Sequence, residues 1–455
     1  MMGKYLNSDA KHRIVFHILI NIFSGLSTLY YLVKIDQQFI SGEKSHYFVL
    51  AIFAVKFIMD MITFKIGFAS FSLVLLFLPV ISILGFGPTG EVQPLFNGAT
   101  QLIDKHFSIL AFSSLFFYCI WSLLLLLNKK SFAHYDSEIL KYFLGDSNSI
   151  LSTWFFSCTA IVSSIIYLPD LPGPGKGYHD LSDSLLPGNA WNSVVVISYF
   201  FVLIGVKNSH IRKAALVFVP LWLLSHYARV DILGLILIMY ILITNSKKGK
   251  VFKSKISFKQ IALITVGILS FSYLGLVRHT GLIFDINAIL DSVFILINYP
   301  TVQDVIYSSA AAIEVTQNSG NLYTLINYIS QLVPSFFGLR GTEGAAHLVA
   351  DAIHTNYGLL IYGEYYLNYN IIGVIAAPFL TYAVLFVPVR ILKKLFGNLG
   401  SALGYYLIVT AMPRILWYGY IYYLKPLAVI VPVFIIMHLV IVSLEKELTS
   451  RPALK

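Results

Sequence analysis

Runs of about 20 predominantly apolar residues recur along this chain from end to end, each long enough to cross a bilayer core about 30 Å thick. In such a core a backbone N–H or C=O has no water to bond, so each run must satisfy its own backbone as a helix. Twelve spans are expected, at about 14–33, 47–64, 66–86, 107–127, 149–168, 191–206, 214–228, 230–244, 260–277, 371–389, 401–418 and 424–444. The composition agrees, because 57% of the 455 residues are hydrophobic and only 12% charged, where a soluble domain carries roughly 25% charged residues. The expected fold class is an all-α polytopic membrane protein of about 12 transmembrane helices. It forms a single integral membrane domain over residues 1–455, with the lipid bilayer as its first partner.

A formal charge of +10 raises the question of nucleic acid, and the distribution of the charge answers it. With the N-terminus cytoplasmic, 22 Lys and Arg fall on the inner side and nine on the outer, against six and 15 acidic residues. The inner face is then +16 and the outer face −6. That is the positive-inside asymmetry, which places both termini in the cytoplasm and leaves no need for a nucleic-acid partner. The first span has no small-residue cleavage site and reads as a retained signal anchor. Cys119 and Cys158 both fall inside spans, so neither a disulfide framework nor a metal spacing is available from them. Lys56 and Asp60 lie mid-span, one helical turn apart, and neutralise each other. His12, His17, His134 and His210 fall on the cytoplasmic side with no specific role expected, and His438 reads as a hydrogen-bonded histidine inside the bundle.

One outer loop, about 278–370 between spans nine and ten, is far longer than the rest, and a loop of that length is normally functional. Within it, ILDSVFILINY and TVQDVIYSSAAAIEV read as short amphipathic helices lying on or partly in the membrane surface. VPSFFGLRGTEG breaks helix, and Thr342 then offers an N-cap to a helix from Glu343 to about His354. On that helix Glu343, His347, Asp351 and His354 share one stripe. The stripe suits a solvated face, and its chemistry also suits a divalent cation, although no HExxH-type spacing is present. Ten residues on, Glu364 lies among Tyr362, Tyr365 and Tyr366, where burial works against the ionised form and favours use as a general base. Pairing with an arginine for packing is the other reading of Glu364. All four outer arginines, Arg229, Arg278, Arg340 and Arg414, sit near span ends or in this loop. Such groups at one membrane face suit a phosphate-linked lipid, since guanidinium bonds phosphate oxygens in bidentate fashion.

The order HYARVDILGLIL, LVRHTG, a large outer loop with VPSFFGLRG, then GEYYLNYNIIGVIAAPF resembles the Wzy family of O-antigen and capsular repeat-unit polymerases, most clearly over about Trp222 to Tyr418. The resemblance implies a GT-C-like helical bundle in the bacterial inner (cytoplasmic) membrane, with a periplasmic active site beneath the long loop. The substrates would be undecaprenyl-diphosphate-linked oligosaccharides, joined by glycosyl transfer with undecaprenyl diphosphate leaving. Arg229, Arg278 and Arg340 occupy the family's diphosphate-binding positions, and Arg414 joins them as the fourth outer arginine. Glu364 falls at the acidic residue of the GE-x-Y-x-N pattern, with His354 as the other candidate base. His347, Asp351 and Tyr365 are candidate sugar contacts. No DxD sequence is present, so neither a catalytic metal nor a cofactor is expected. The family also suggests a chain-length-regulating co-polymerase as partner. The rival readings are an O-antigen ligase transferring glycan to lipid A–core and a lipid-linked oligosaccharide flippase.

Overall fold

The computed structural model describes residues 8–34, 43–64, 67–86, 99–144, 149–166, 189–225, 233–238, 273, 285, 287, 301–319, 345–353 and 358–450. Of span eight only 233–238 and of span nine only residue 273 are among these, and the segment 289–299, Thr342 and Glu343 lie outside them. The described residues are almost all helical, with no strand among them. In chain order the helices are α1 (Ser8–Lys34), α2 (Glu43–Phe64), α3 (Phe68–Phe86), α4 (Ala99–Lys105), α5 (Phe107–Leu127), α6 (Lys129–Leu144), α7 (Ile150–Ile166), α8 (Asn189–Ile204) and α9 (His210–Ser225). There follow α10 (Thr301–Ser319), α11 (Ala345–Ala352), α12 (Ile361–Tyr418), α13 (Ile421–Lys425), a π-helical turn (Pro426–Ile430) and α14 (Val431–Ser450).

Tyr47–Phe64, Phe107–Leu127, Ile361–Tyr418 and Tyr423–Ser450 are long and apolar enough to cross a membrane. Ile14–Tyr30, Phe68–Leu84, Ile150–Ile166 and Trp191–Ile204 are shorter apolar helices. The molecule is a helical membrane protein. Its outer helices expose apolar side chains such as Phe23, Ile62, Ile372 and Leu448, as a surface bathed in lipid tails does.

The 58 residues of α12 are three helical pieces rather than one rod. Tyr369 and Asn370 break it first, and Gly397 breaks it again with φ +64. At Gly397 the chain reverses, so 371–396 and 398–418 run antiparallel. Gly400 is required there because a Cβ would stand 2.4 Å from the Leu392 carbonyl oxygen. The reversal defines one end of the bundle, and Gly419, which closes α12, defines the other, roughly 30 Å away at 1.5 Å per residue.

At the Gly397 end, α6 lies across the bundle and is fastened by its acidic residues. Glu138 accepts from Lys393 Nζ at 3.2 Å and Ser401 Oγ at 3.1 Å, with His134 Nε2 3.1 Å away. Asp136 accepts from the Tyr405 hydroxyl at 2.9 Å. Beneath α6, Phe68, Phe132, Tyr135, Phe386 and Tyr405 form an aromatic cluster whose rings lie 5.0–6.4 Å apart. A second sub-bundle of α7, α8 and α9 is joined by the Phe156–Phe201 stack at 4.1 Å. Arg212 turns back to donate to the Val202 and Leu203 carbonyls at 2.8 and 2.9 Å, satisfying acceptors that the end of α8 leaves open.

Two expectations change. The stretch TVQDVIYSSAAAIEV forms a helix, α10, but not at a surface: Val305, Ile306, Ser309, Ala310, Ala311, Ala312, Ile313, Val315 and Thr316 are all buried. Its run of small residues lets neighbouring helices close in from every side, as in membrane helix packing generally. His17 is not idle either, because its Nε2 lies 2.6 Å from Asp60 Oδ1. The expected pair between Lys56 and Asp60 is present at 2.8 Å, and His438 bonds to Ser152 at 2.7 Å.

Asp136 retains some surface as a residue, yet its carboxylate is enclosed between Tyr405 and Gly67, where a Cβ would stand 2.9 Å from Oδ2. Burial pushes its pKa from 3.8 up to about 7, against the opposing bonds from Tyr405 and the Phe68 backbone. The folded state therefore holds a proton that the unfolded state has lost, so this contribution to stability is full below 3.8 and is lost as pH rises through about 7. In detergent the protein is expected to melt at lower temperature at about pH 8 than at about pH 5. Asp136→Asn, which cannot ionise, is expected to flatten that slope, and a pH series of melting curves checks it.

Candidate functional site

Glu364 sits in the first turn of α12, and three local features put it there. The segment 358–360 is extended, with Leu359 N donating to the Trp417 carbonyl at 2.8 Å and Leu360 N to Ser309 Oγ at 3.1 Å. Leu360 (φ −62, ψ 142) then starts the helix. Gly363 lets α10 close in, since a Cβ there would stand 2.9 Å from Ser309 Oγ. These contacts pin the GEYY motif between α10 and the Gly419 turn.

The Glu364 side chain is 6% exposed and runs against Gly419. A Cβ on Gly419 would stand 2.8 Å from Glu364 Oε2, and Gly419 has φ +96, a conformation that favours glycine. The tyrosines around it are each tied down. Tyr362 bonds to Ser114 at 2.6 Å, and Tyr365 bonds to Tyr420 at 2.7 Å. Tyr420 in turn bonds to Thr381 at 2.5 Å, and Tyr366 bonds to the Gln317 side chain. Tyr365 is thus engaged through its hydroxyl within the bundle, which leaves ring contact as its route to a sugar.

Buried side-chain atoms without a partner gather here as well: Trp417 Nε1, Asn368 Oδ1 and, in the same half of the bundle, Ser113 Oγ. Asn368 is one helical turn beyond Glu364, and Trp417 is two residues before Gly419. Each such atom costs about 1–3 kcal/mol if left unmet.

Of the sequence candidates, Glu364, Tyr365, Arg414 and Asp351 are brought to this one end. Arg414 is half-buried in the last turns of α12, and Asp351 is exposed on α11. That helix covers Ala345–Ala352, the expected ends Glu343 and His354 lying outside the described residues, and it buries Val349 against Ala311, Ala312, Val315 and Leu367. His347 lies on it, four residues before Asp351. His354, Arg229, Arg278 and Arg340 lie outside the described residues.

One constellation escaped the sequence reading. His106, at the junction of α4 and α5, places Nε2 2.6 Å from Glu314 Oε2, and Lys105 reaches the same carboxylate at 2.8 Å. Burial lowers the His106 pKa, against the raising pull of Glu314. The partners are 208 residues apart, and no local spacing could announce them. Among the described residues no three His, Cys, Asp or Glu side chains are grouped to hold a metal ion.

Gly419→Ala is expected to cost about 1–3 kcal/mol from backbone strain alone, with the clash against Glu364 adding to it. Glu364→Ala in the same chain relieves the clash but not the strain, so only partial recovery of the melting temperature is expected. A double-mutant cycle by thermal unfolding measures both parts.

Compared with known proteins, the chain matches no protein-family model, no curated protein and no solved structure.

Proposed function

We propose that the protein is a glycosyltransferase that polymerises oligosaccharide repeat units carried on undecaprenyl diphosphate, at the periplasmic face of a bacterial inner membrane. The observation that carries the reading is Glu364, a carboxylate 6% exposed at the Gly419 end of the bundle, inside the motif on which the family resemblance rests. The unpartnered Trp417 Nε1 and Asn368 Oδ1 support it, as a donor and an acceptor of the kind that sugar hydroxyls bond.

The orientation that this reading needs has twelve spans and cytoplasmic termini. Lys129, Lys393, Lys394, Lys207 and Lys213 all belong to the Gly397 end, and the positive-inside rule puts such an end in the cytoplasm. Glu364, Glu314 and α11 then face the periplasm.

In the proposed reaction a hydroxyl of the acceptor repeat unit attacks the anomeric carbon of the donor glycan. The new C–O bond forms as the bond to undecaprenyl diphosphate breaks, and the diphosphate leaves with the bonding pair. Glu364 takes the hydroxyl proton. Arg229, Arg278, Arg340 and Arg414 hold the diphosphate, where fixed guanidinium groups stabilise the charge that develops on the leaving oxygen.

The test uses purified protein in nanodiscs with synthetic undecaprenyl-diphosphate-linked repeat units and EDTA, with products resolved as a ladder on a gel. Wild type is expected to give a ladder. Glu364→Gln is expected to lower the rate by about 10²–10⁴-fold, the usual worth of a general base, and Arg229→Ala and Arg278→Ala to abolish it. A ladder that survives Glu364→Gln moves the base to His354. No ladder from wild type with the correct repeat unit, with or without divalent metal, rejects polymerisation. Transfer onto lipid A–core instead of a second repeat unit identifies a ligase.

A further inference from the structure

Among the described residues the most heavily bonded carboxylate joins α1, α2 and α5. Asp60, 0% exposed and inside the 47–64 span, accepts four hydrogen bonds. His17 Nε2 and Ser122 Oγ donate to Oδ1 at 2.6 and 2.8 Å, and Lys56 Nζ and Tyr118 Oη donate to Oδ2 at 2.8 and 2.7 Å. Four donors on one carboxyl group require it to be ionised. Lys56 already neutralises it, so a cationic His17 would leave an excess charge at membrane depth, where charge is expensive.

Thr63 faces the other ring nitrogen of His17. Its hydroxyl donates to the Met59 carbonyl at 2.8 Å and stands 3.2 Å from His17 Nδ1. A hydroxyl has one proton, so while it serves Met59 it can only accept from Nδ1, which must then bear hydrogen. Nε2 faces an ionised carboxylate and bears hydrogen too. In this arrangement His17 is an imidazolium. If the Thr63 O–H rotates from Met59 O to Nδ1, every heavy atom stays in place and the ring protonated on Nε2 alone is satisfied equally well.

We propose that His17 is a proton-binding site, taking up and releasing one proton at Nδ1 from the Gly397 end of the bundle, with the Thr63 hydroxyl as the rotor that fits both states. On uptake an N–H bond forms at Nδ1 and the Thr63 O–H swings to Met59 O; on release water takes the proton and the swing reverses. The cluster carries zero charge in one state and +1 in the other.

The way in is short. Thr63 is half-buried and next to the last residue of α2, Phe64, and its carbonyl accepts from Lys129 Nζ at 2.8 Å on the first turn of α6. The groups facing His17 are Lys56, Asp60 and Thr63 from α2 and Tyr118 and Ser122 from α5, with Cys119 buried beside Tyr118 and Lys129 closing the α6 side. On its own helix, Asn21 Nδ2 donates to the His17 carbonyl at 2.9 Å. The site involves none of the residues assigned to glycosyl transfer, so it stands or falls independently of that reading.

The test is solid-state NMR of the full-length protein, labelled with ¹⁵N-histidine, in phosphatidylethanolamine–phosphatidylglycerol bilayers from about pH 5 to about pH 9. His17→Gln identifies the ring signals. In wild type His17 is expected to pass from both nitrogens protonated to Nε2 protonated alone. Thr63→Val keeps the side-chain shape but can neither accept from nor donate to Nδ1, so the pH of that transition is expected to move, and Thr63→Ser to restore it. A His17 that keeps one protonation state across the range overturns the proposal, because the cluster is then only a clamp between helices. A Thr63→Val transition that coincides with wild type overturns it as well.

Discussion

The reversal at Gly397 sets the register of nearly everything else. It permits two long helical pieces of α12 to lie antiparallel, at a φ of +64 and a backbone approach at Gly400 that a side chain would block. Because both pieces leave one turn, their two ends cannot be adjusted separately. Ser401 and Tyr405 grip the acidic residues of α6 at one end. Trp417 and Gly419 meet Leu359 and Glu364 at the other. A shift of one residue in the return helix would rotate its polar side chains by about 100° and lose both sets of contacts.

Between those ends the bundle has little hydrophobic drive to hold helix against helix, since lipid tails are as apolar as leucine. Polar contacts and close backbone approach take over that role. Asp60 gathers α1, α2 and α5. Tyr420 joins Tyr365 to Thr381, and Tyr423 donates to the Leu385 carbonyl at 2.7 Å. Gly234 lies so near α12 that a Cβ would stand 2.4 Å from the Val409 carbonyl oxygen. Such contacts are directional, so they specify one packing where greasy surfaces alone would allow many.

What was legible in the sequence follows from how local each signal is. Apolar runs mark helices because length and hydropathy are properties of the run itself, and α2, α3, α5 and α7 start and stop within a few residues of expectation. The Lys56–Asp60 pair is legible because one helical turn is a sequence distance. His17 is not, since it reaches Asp60 from 43 residues away. Likewise α10 looks like a weakly amphipathic surface helix, because Ser308 to Ala312 are small rather than oily, and only the neighbours that close on them reveal burial. At the candidate site, Glu364 among tyrosines could be picked out from its motif. Its dependence on Gly419 could not, because the two are brought together by the fold alone.

One remaining contact bears on how the chain is made. The start of α7 is capped by Glu445, which accepts from the Ser149 hydroxyl and, at 2.9 Å, from Ile150 N. Those partners are separated by 296 and 295 residues. Synthesis runs from the N-terminus at about 5–20 residues per second, so α7 waits many seconds in the bilayer with its first turn capped only locally, by Ser149 Oγ accepting from Ser152 N at 3.1 Å, before α14 delivers the carboxylate. Insertion of α7 and its locking are therefore separate events, and the second is post-translational in all but name: the bundle is closed by its last described helix.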